Sequence, residues 1–125
     1  MIEKVKVIVF LEDDYALLEI YREYFTKPGY SVYCARDVNK AIRLIKENDP
    51  DVFVTDYDLE ISSSKEAIIY VRQNNPRSKI IMVSGNLKQA IPQIECLGIT
   101  DDDYIQKPCM MAKLEEKILE RIKTN

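Results

Sequence analysis

The 125-residue chain contains no histidine. That absence excludes a Ser-His-Asp triad, a His-ligated metal and a phosphohistidine carried by the chain itself. Cysteine is scarce and odd in number: Cys34, Cys96 and Cys109, with no two close in sequence. Neither a disulfide framework nor a Cys-based metal site is expected, and a reducing, cytoplasmic setting is the simpler assumption. No apolar run approaches the roughly 20 residues needed to span a bilayer. The start does not read as a signal peptide, because Glu3, Lys4 and Lys6 interrupt it and Glu12 ends the apolar run. No membrane insertion is expected. A basic stripe is missing too: net charge is -3, pI is about 5.1, and Lys and Arg are interleaved with Glu and Asp. Direct nucleic-acid binding is therefore disfavoured. There is no repeat, linker or low-complexity segment.

What is present suits a soluble globular protein, with 46% hydrophobic and 31% charged residues. The length fits one domain over residues 1–125, which buries roughly two-thirds of its unfolded surface. Short apolar runs alternate with helical patterns. Strands are expected at Val5–Leu11, Ser31–Ala35, Val52–Thr55, Ile80–Val83 and Asp103–Gln106. The first helix, Tyr15–Thr26, carries Leu17, Tyr21, Tyr24 and Phe25 on one face, and Pro28-Gly29 stops it. Asp37 caps a second helix with Val38, Ala41, Ile42 and Ile45 inward, and Asp49-Pro50 ends it. Ser62-Ser63-Ser64 forms a loop and supplies a cap for a third, marked by Ala67, Ile68 and Val71 and closed by Asn74-Asn75-Pro76. Leu87–Leu97 is a weaker helix, because Pro92 breaks it unless the proline sits in the first turn. Met111, Leu114, Ile118 and Ile122 line the last. Five strands alternating with five helices predict an α/β fold: a parallel sheet covered on both faces, joined by right-handed crossovers. Ligands of such sheets bind beyond the carboxyl ends of the strands, where strand order reverses.

Polar residues close four of the apolar runs: Glu12-Asp13-Asp14, Asp56, Ser84 and Lys107-Pro108. Each has an ordinary reading. The acid run suits a helix N-terminus, with Asp14 as a cap. Asp56 suits a strand end, Ser84 a turn and Lys107 a solvated surface. Taken together, acid pair, acid, hydroxyl and amine point to one site built from four strand ends. Like charges about 4 Å apart repel by roughly 4 kcal/mol at an effective dielectric near 20, so converging Glu12, Asp13 and Asp56 take up protons or bind a cation. Carboxylates and waters suit Mg2+. A metal cluster with a nearby lysine neutralises phosphoryl oxygens, and a carboxylate beside it can attack phosphorus to form an acyl phosphate.

In these motifs the chain resembles the receiver domain of two-component response regulators, typified by the bacterial chemotaxis regulator. The resemblance rests on Phe10-Leu11-Glu12-Asp13-Asp14, Pro50–Asp56, Val83-Ser84 and Asp103–Pro108, in that order and spacing, and covers essentially the whole chain. It implies a flavodoxin-like sheet of order 2-1-3-4-5. It further implies Asp56 as phosphoacceptor, Asp13 touching Mg2+ directly, Glu12 acting through water, and the Asp58 backbone carbonyl completing the metal shell. Ser84 matches the switch hydroxyl, Tyr104 the aromatic switch residue, and Lys107 the lysine that pairs with the phosphoryl group. Pro108 matches a proline often preceded by a cis bond. The implied donor is a histidine kinase or histidine phosphotransfer protein. The implied readout is a face made by the fourth helix, fifth strand and fifth helix, which binds a downstream target, an output domain or a second copy. This is a signalling module more than a metabolic enzyme.

The chain departs from the family pattern at Glu60 and Ser64, where proline and glycine are usual, and Asp58 is itself acidic. The approach Gly98–Asp103 is slightly long, and Pro92 is expected to shorten the fourth helix. These departures leave room for a degenerate receiver that works as a phosphorylation-independent scaffold. An aspartyl-phosphate hydrolase of the haloacid dehalogenase type fits less well. Asp56-Tyr57-Asp58 resembles its motif but follows two strands instead of none, and Lys107 follows the later acids. A flavin-binding domain fits least, because Glu12-Asp13-Asp14 repels phosphate.

Overall fold

A computed structural model describes residues 5–57, 59, 63–99 and 103–123. The elements alternate as β1 (Val7–Leu11), α1 (Tyr15–Thr26), β2 (Ser31–Ala35), α2 (Val38–Asn48), β3 (Val52–Thr55), α3 (Lys65–Asn74), β4 (Lys79–Ser84), α4 (Leu87–Ile94), β5 (Tyr104–Gln106) and α5 (Met111–Lys123). A 3-10 turn, Glu95–Leu97, follows α4. The strands form one parallel sheet in the order β2-β1-β3-β4-β5, as the resemblance implies. The order reverses between β1 and β3, so their carboxyl ends flank the crevice where such sheets take ligands.

Alternation along the strands divides the core in two. Ile8 and Phe10, Val52 and Val54, and Ile81 and Val83 face Leu18, Tyr21 and Phe25 of α1 and Leu114 and Ile118 of α5. Val9 and Leu11, Phe53, and Ile80 and Met82 face Val38, Ala41 and Ile45 of α2, Ala67, Ile68 and Val71 of α3, and Ala90 and Ile94 of α4. Phe10 anchors the first side, stacking on Tyr21 at 4.8 Å and tilting against Phe25 at 5.3 Å. The α1 face is rotated slightly from expectation: Leu18 is buried, whereas Leu17 and Tyr24 are half-buried, because 18, 21 and 25 share the inward stripe. The expected serine cap of α3 does not form, since Ser64 stands at its N-cap position with no side-chain capping bond, but two caps form as expected. Asp14 accepts from Leu17 N–H at 3.2 Å and Asp37 from Lys40 N–H at 2.8 Å.

Other boundaries shift. β1 starts at Val7, leaving Val5 54% exposed, and β4 gains Lys79 and Ser84. Pro92 does not sit in the first turn of its helix; it is the sixth residue of α4. It deprives the Lys88 carbonyl of a donor, and the α-helix ends two residues later, running on to Leu97 only as the 3-10 turn. Gly98, at φ 81°, then turns the chain by a backbone conformation that side-chain-bearing residues disfavour. No helix among the described residues is long and apolar enough to cross a membrane.

Truncating Phe10 to Ala is expected to cost about 3–5 kcal/mol, through lost burial and a residual cavity. Asp37→Ala is expected to cost only about 1 kcal/mol, the value of one cap. Urea denaturation of both variants measures the difference.

Candidate functional site

Parallel pairing brings distant residues to one lip. Leu11 and Thr55 are register partners, so Glu12 and Asp56 leave β1 and β3 side by side, and Asp56 N–H donates to the Leu11 carbonyl at 3.1 Å. Glu12 is fixed from the other flank by its own N–H, which donates to the Ala35 carbonyl at 3.0 Å. One carboxylate oxygen from each of Glu12, Asp13 and Asp56 lies within 4.8 Å of the others. Such a grouping of hard oxygens suits a divalent cation of the Mg2+ type.

Lys107 completes the cluster from two strands away. Its N–H donates to the Ser84 carbonyl at 2.9 Å, which aligns the end of β5 with that of β4. Its ammonium donates to Asp56 Oδ2 at 2.9 Å and to Glu12 Oε1 at 2.5 Å. The Lys107-Pro108 bond is cis. Burial alone pulls the Lys107 pKa down, but the hydrogen bonds and charges of Glu12 and Asp56 outweigh it and leave it raised. Glu12 is 2% exposed, and that desolvation raises its pKa against the opposing pull of Lys107 and of the Asp14 N–H, which donates to Oε2 at 3.1 Å.

Ser84 is buried at the end of β4, and its Oγ accepts from Asn86 N–H at 3.1 Å. Tyr104 is buried on the α4 side of the sheet, with its hydroxyl donating to the Ile99 carbonyl at 3.0 Å. Its ring therefore already lies inward. Asp58 and Glu60 lie outside the described residues.

Three supports carry no sequence signal that marks them. Arg36 donates to the Asp13 carbonyl through Nε and Nη2 at 3.3 and 3.2 Å, and its guanidinium stands 5.5 Å from the Tyr15 ring centroid. Gln106 Nε2 donates to the carbonyls of Gly85 and Lys107, bracing two strand ends. Tyr57 donates to Gln93 of α4 at 2.9 Å. Each is a polar residue in a polar stretch, and only the folded chain shows its partner.

Residues 8–119 match the response regulator receiver domain family, and the chain belongs to it. Among solved structures it is similar to a CheY-like receiver domain protein from Methanospirillum hungatei, at 25% identity over 98% of this chain and 100% of that one, with a TM-score of 0.81. It is also similar to the signal receiver domain of an HD domain-containing protein from Pseudomonas fluorescens, at 18% identity over 96% of both chains, TM-score 0.84. A DNA-binding response regulator of the LuxR family from Staphylococcus aureus matches at 18% identity over 95% of this chain and 100% of that one, TM-score 0.83. The last two likenesses are of fold alone.

The raised Lys107 pKa fixes the sign of a pH effect. A group that binds its proton more tightly when folded contributes stability that is complete below its unfolded value, 10.5, and that fades as pH climbs through the folded value. The stability advantage of the parent over Lys107→Met is therefore expected to hold steady from about pH 7 to 9 and to shrink above 10.5. Paired urea titrations across that range measure it.

Proposed function

We propose that the chain is the receiver module of a two-component phosphorelay, accepting on Asp56 a phosphoryl group from the phosphohistidine of a histidine kinase or histidine phosphotransfer protein. The observation that carries this reading is the Lys107 ammonium, bonded at once to Asp56 and Glu12 with Asp13 in the same cluster. A carboxylate oxygen of Asp56 attacks phosphorus. The P–N bond breaks, its electron pair stays on the donor imidazole, and a P–O bond makes the acyl phosphate. Glu12, Asp13, Asp56 and the Asp58 carbonyl would hold Mg2+, which when bound neutralises phosphoryl oxygens. Lys107 transfers its hydrogen bond from the Asp56 carboxylate to a phosphoryl oxygen.

Ser84 lies on the strand between Asp56 and Lys107, so a small side-chain movement lets its hydroxyl reach the new group. Tyr104 packs behind it among residues of α4 and β4. Together they remodel the face of α4, β5 and α5 for a protein target, an output domain or a second copy. In this reading the module works in the cytoplasm, where its cysteines, all free, stay reduced. It assists its own phosphorylation and slow dephosphorylation but turns over no separate substrate.

With acetyl phosphate and Mg2+, the parent chain is expected to acquire a base-labile phosphoryl label that Asp56→Asn lacks. Labelling that persists in Asp56→Asn overturns the assignment. A chain that responds neither to Mg2+ nor to beryllofluoride is a scaffold.

A further inference from the structure

Tyr57 follows Asp56 directly and is 3% exposed, within the core cluster that contains Met82, Ala90, Ile94 and Tyr104. A buried tyrosine needs a partner for its hydroxyl. Here the partner is the Gln93 side-chain carbonyl, at 2.9 Å. The amide nitrogen of the same Gln93 donates to the Gln89 carbonyl at 3.2 Å. Gln93 comes just after Pro92, where α4 has lost a backbone hydrogen bond. The weakest turn of α4 is thus held from outside by the residue next to Asp56. The Tyr57 carbonyl in turn accepts Ser64 N–H at 3.0 Å, so the same residue is tied to the start of α3.

We propose that Tyr57 is a positioning residue whose hydrogen bond to Gln93 couples the chemical state of Asp56 to the placement of α4. This rests on the reading of Asp56 as phosphoryl acceptor. The route is separate from the one through Ser84 and Tyr104: it leaves Asp56 along the backbone and enters α4 in its last turn, at Gln93. In the observed arrangement Lys107 contacts the Asp56 carboxylate directly, and the Tyr57 bond belongs to that arrangement. A phosphoryl group inserted between Asp56 and Lys107 shifts the Asp56-Tyr57 backbone, and with it a stiff side chain that has only two rotatable angles. The bond therefore opposes acylation, and acylation loosens α4. A state-specific contact is the condition for such coupling.

A net hydrogen bond of ordinary strength changes an equilibrium by about two- to tenfold. Beryllofluoride with Mg2+, titrated by calorimetry, is the probe. Tyr57→Phe and Gln93→Leu are each expected to bind it about two- to tenfold more tightly than the parent, and the double variant no more tightly than either single one. The amide resonances of Ala90 and Ile94 in the unliganded variants are expected to lie nearer their beryllofluoride-bound positions. Unchanged or weakened affinity with a lowered melting temperature marks the bond as merely structural and overturns the coupling, as do additive effects in the double variant. A parent chain that binds no beryllofluoride overturns the reading of Asp56, and the coupling with it. A parent that binds it while the variants do not differ overturns the coupling alone.

Discussion

One ammonium group sets the terms for the rest of the structure. Glu12, Asp13 and Asp56 crowd their oxygens within 4.8 Å, and Lys107 is the cation that touches two of them. Neighbouring strands stand about 4.8 Å apart, so β3 and β5, with β4 between them, are separated by roughly 10 Å. Only a long side chain spans that gap, which explains why the cation is a lysine at the end of the edge strand while the middle strand ends in a short serine. The cluster also demands register. Slippage of β3 against β1 by one residue turns Phe53 out of its core side and carries Asp56 away from Glu12. Thus the hydrophobic division of the sheet and the polar geometry at its lip enforce each other.

The two faces of the sheet are built from different contacts. On the α1 side an aromatic group around Phe10 and Phe25 locks helix to strand, and Glu115 of α5 accepts from the hydroxyls of Tyr24 and Tyr30 at 3.0 and 3.2 Å. On the α4 side, the helix has eight residues with an internal proline, packs through Ala90 and Ile94, and takes polar contacts from other elements near its end. Tyr57 bonds Gln93 in its last turn, and Arg72 donates to the Leu97 carbonyl of the following 3-10 turn at 3.1 Å. Segments held by a few polar contacts reorganise at low cost, whereas packed aromatic cores do not.

The sequence made the alternation of strands and helices plain because apolar runs and helical stripes are long-range averages, insensitive to one residue. It also exposed Glu12, Asp13, Asp56, Ser84 and Lys107, since a polar residue closing an apolar run breaks a pattern. Ends of elements were less legible. Val5 is as apolar as Val7 yet has no sheet neighbour to cover it, and Lys79 pairs with Val52 despite its charge. Local rules make Pro92 a breaker outside the first turn, yet α4 runs two residues past it, with Gln93 bonded to Tyr57 and Ile94 buried in the core. Tyr57, Arg36 and Gln106 stayed invisible because their roles are defined by partners 36, 23 and 21 residues away.

Charge arithmetic ties the site to its chemistry. The three converging carboxylates outnumber the Lys107 ammonium that bonds two of them, and the desolvated Glu12 resists full ionisation, as its raised pKa records. A divalent cation offsets such crowding more than a second lysine does. On the proposed function, a phosphoryl group brings further negative charge, which bare acids repel and neutralised ones would accept. The same balance argues against a site built to cradle a resting phosphate, which needs backbone donors and excess positive charge. On the function proposed for Asp56, acids that repel phosphate in the absence of metal, beside a lysine that bonds their carboxylates, make a site whose occupancy would depend on a covalent bond instead of on free phosphate.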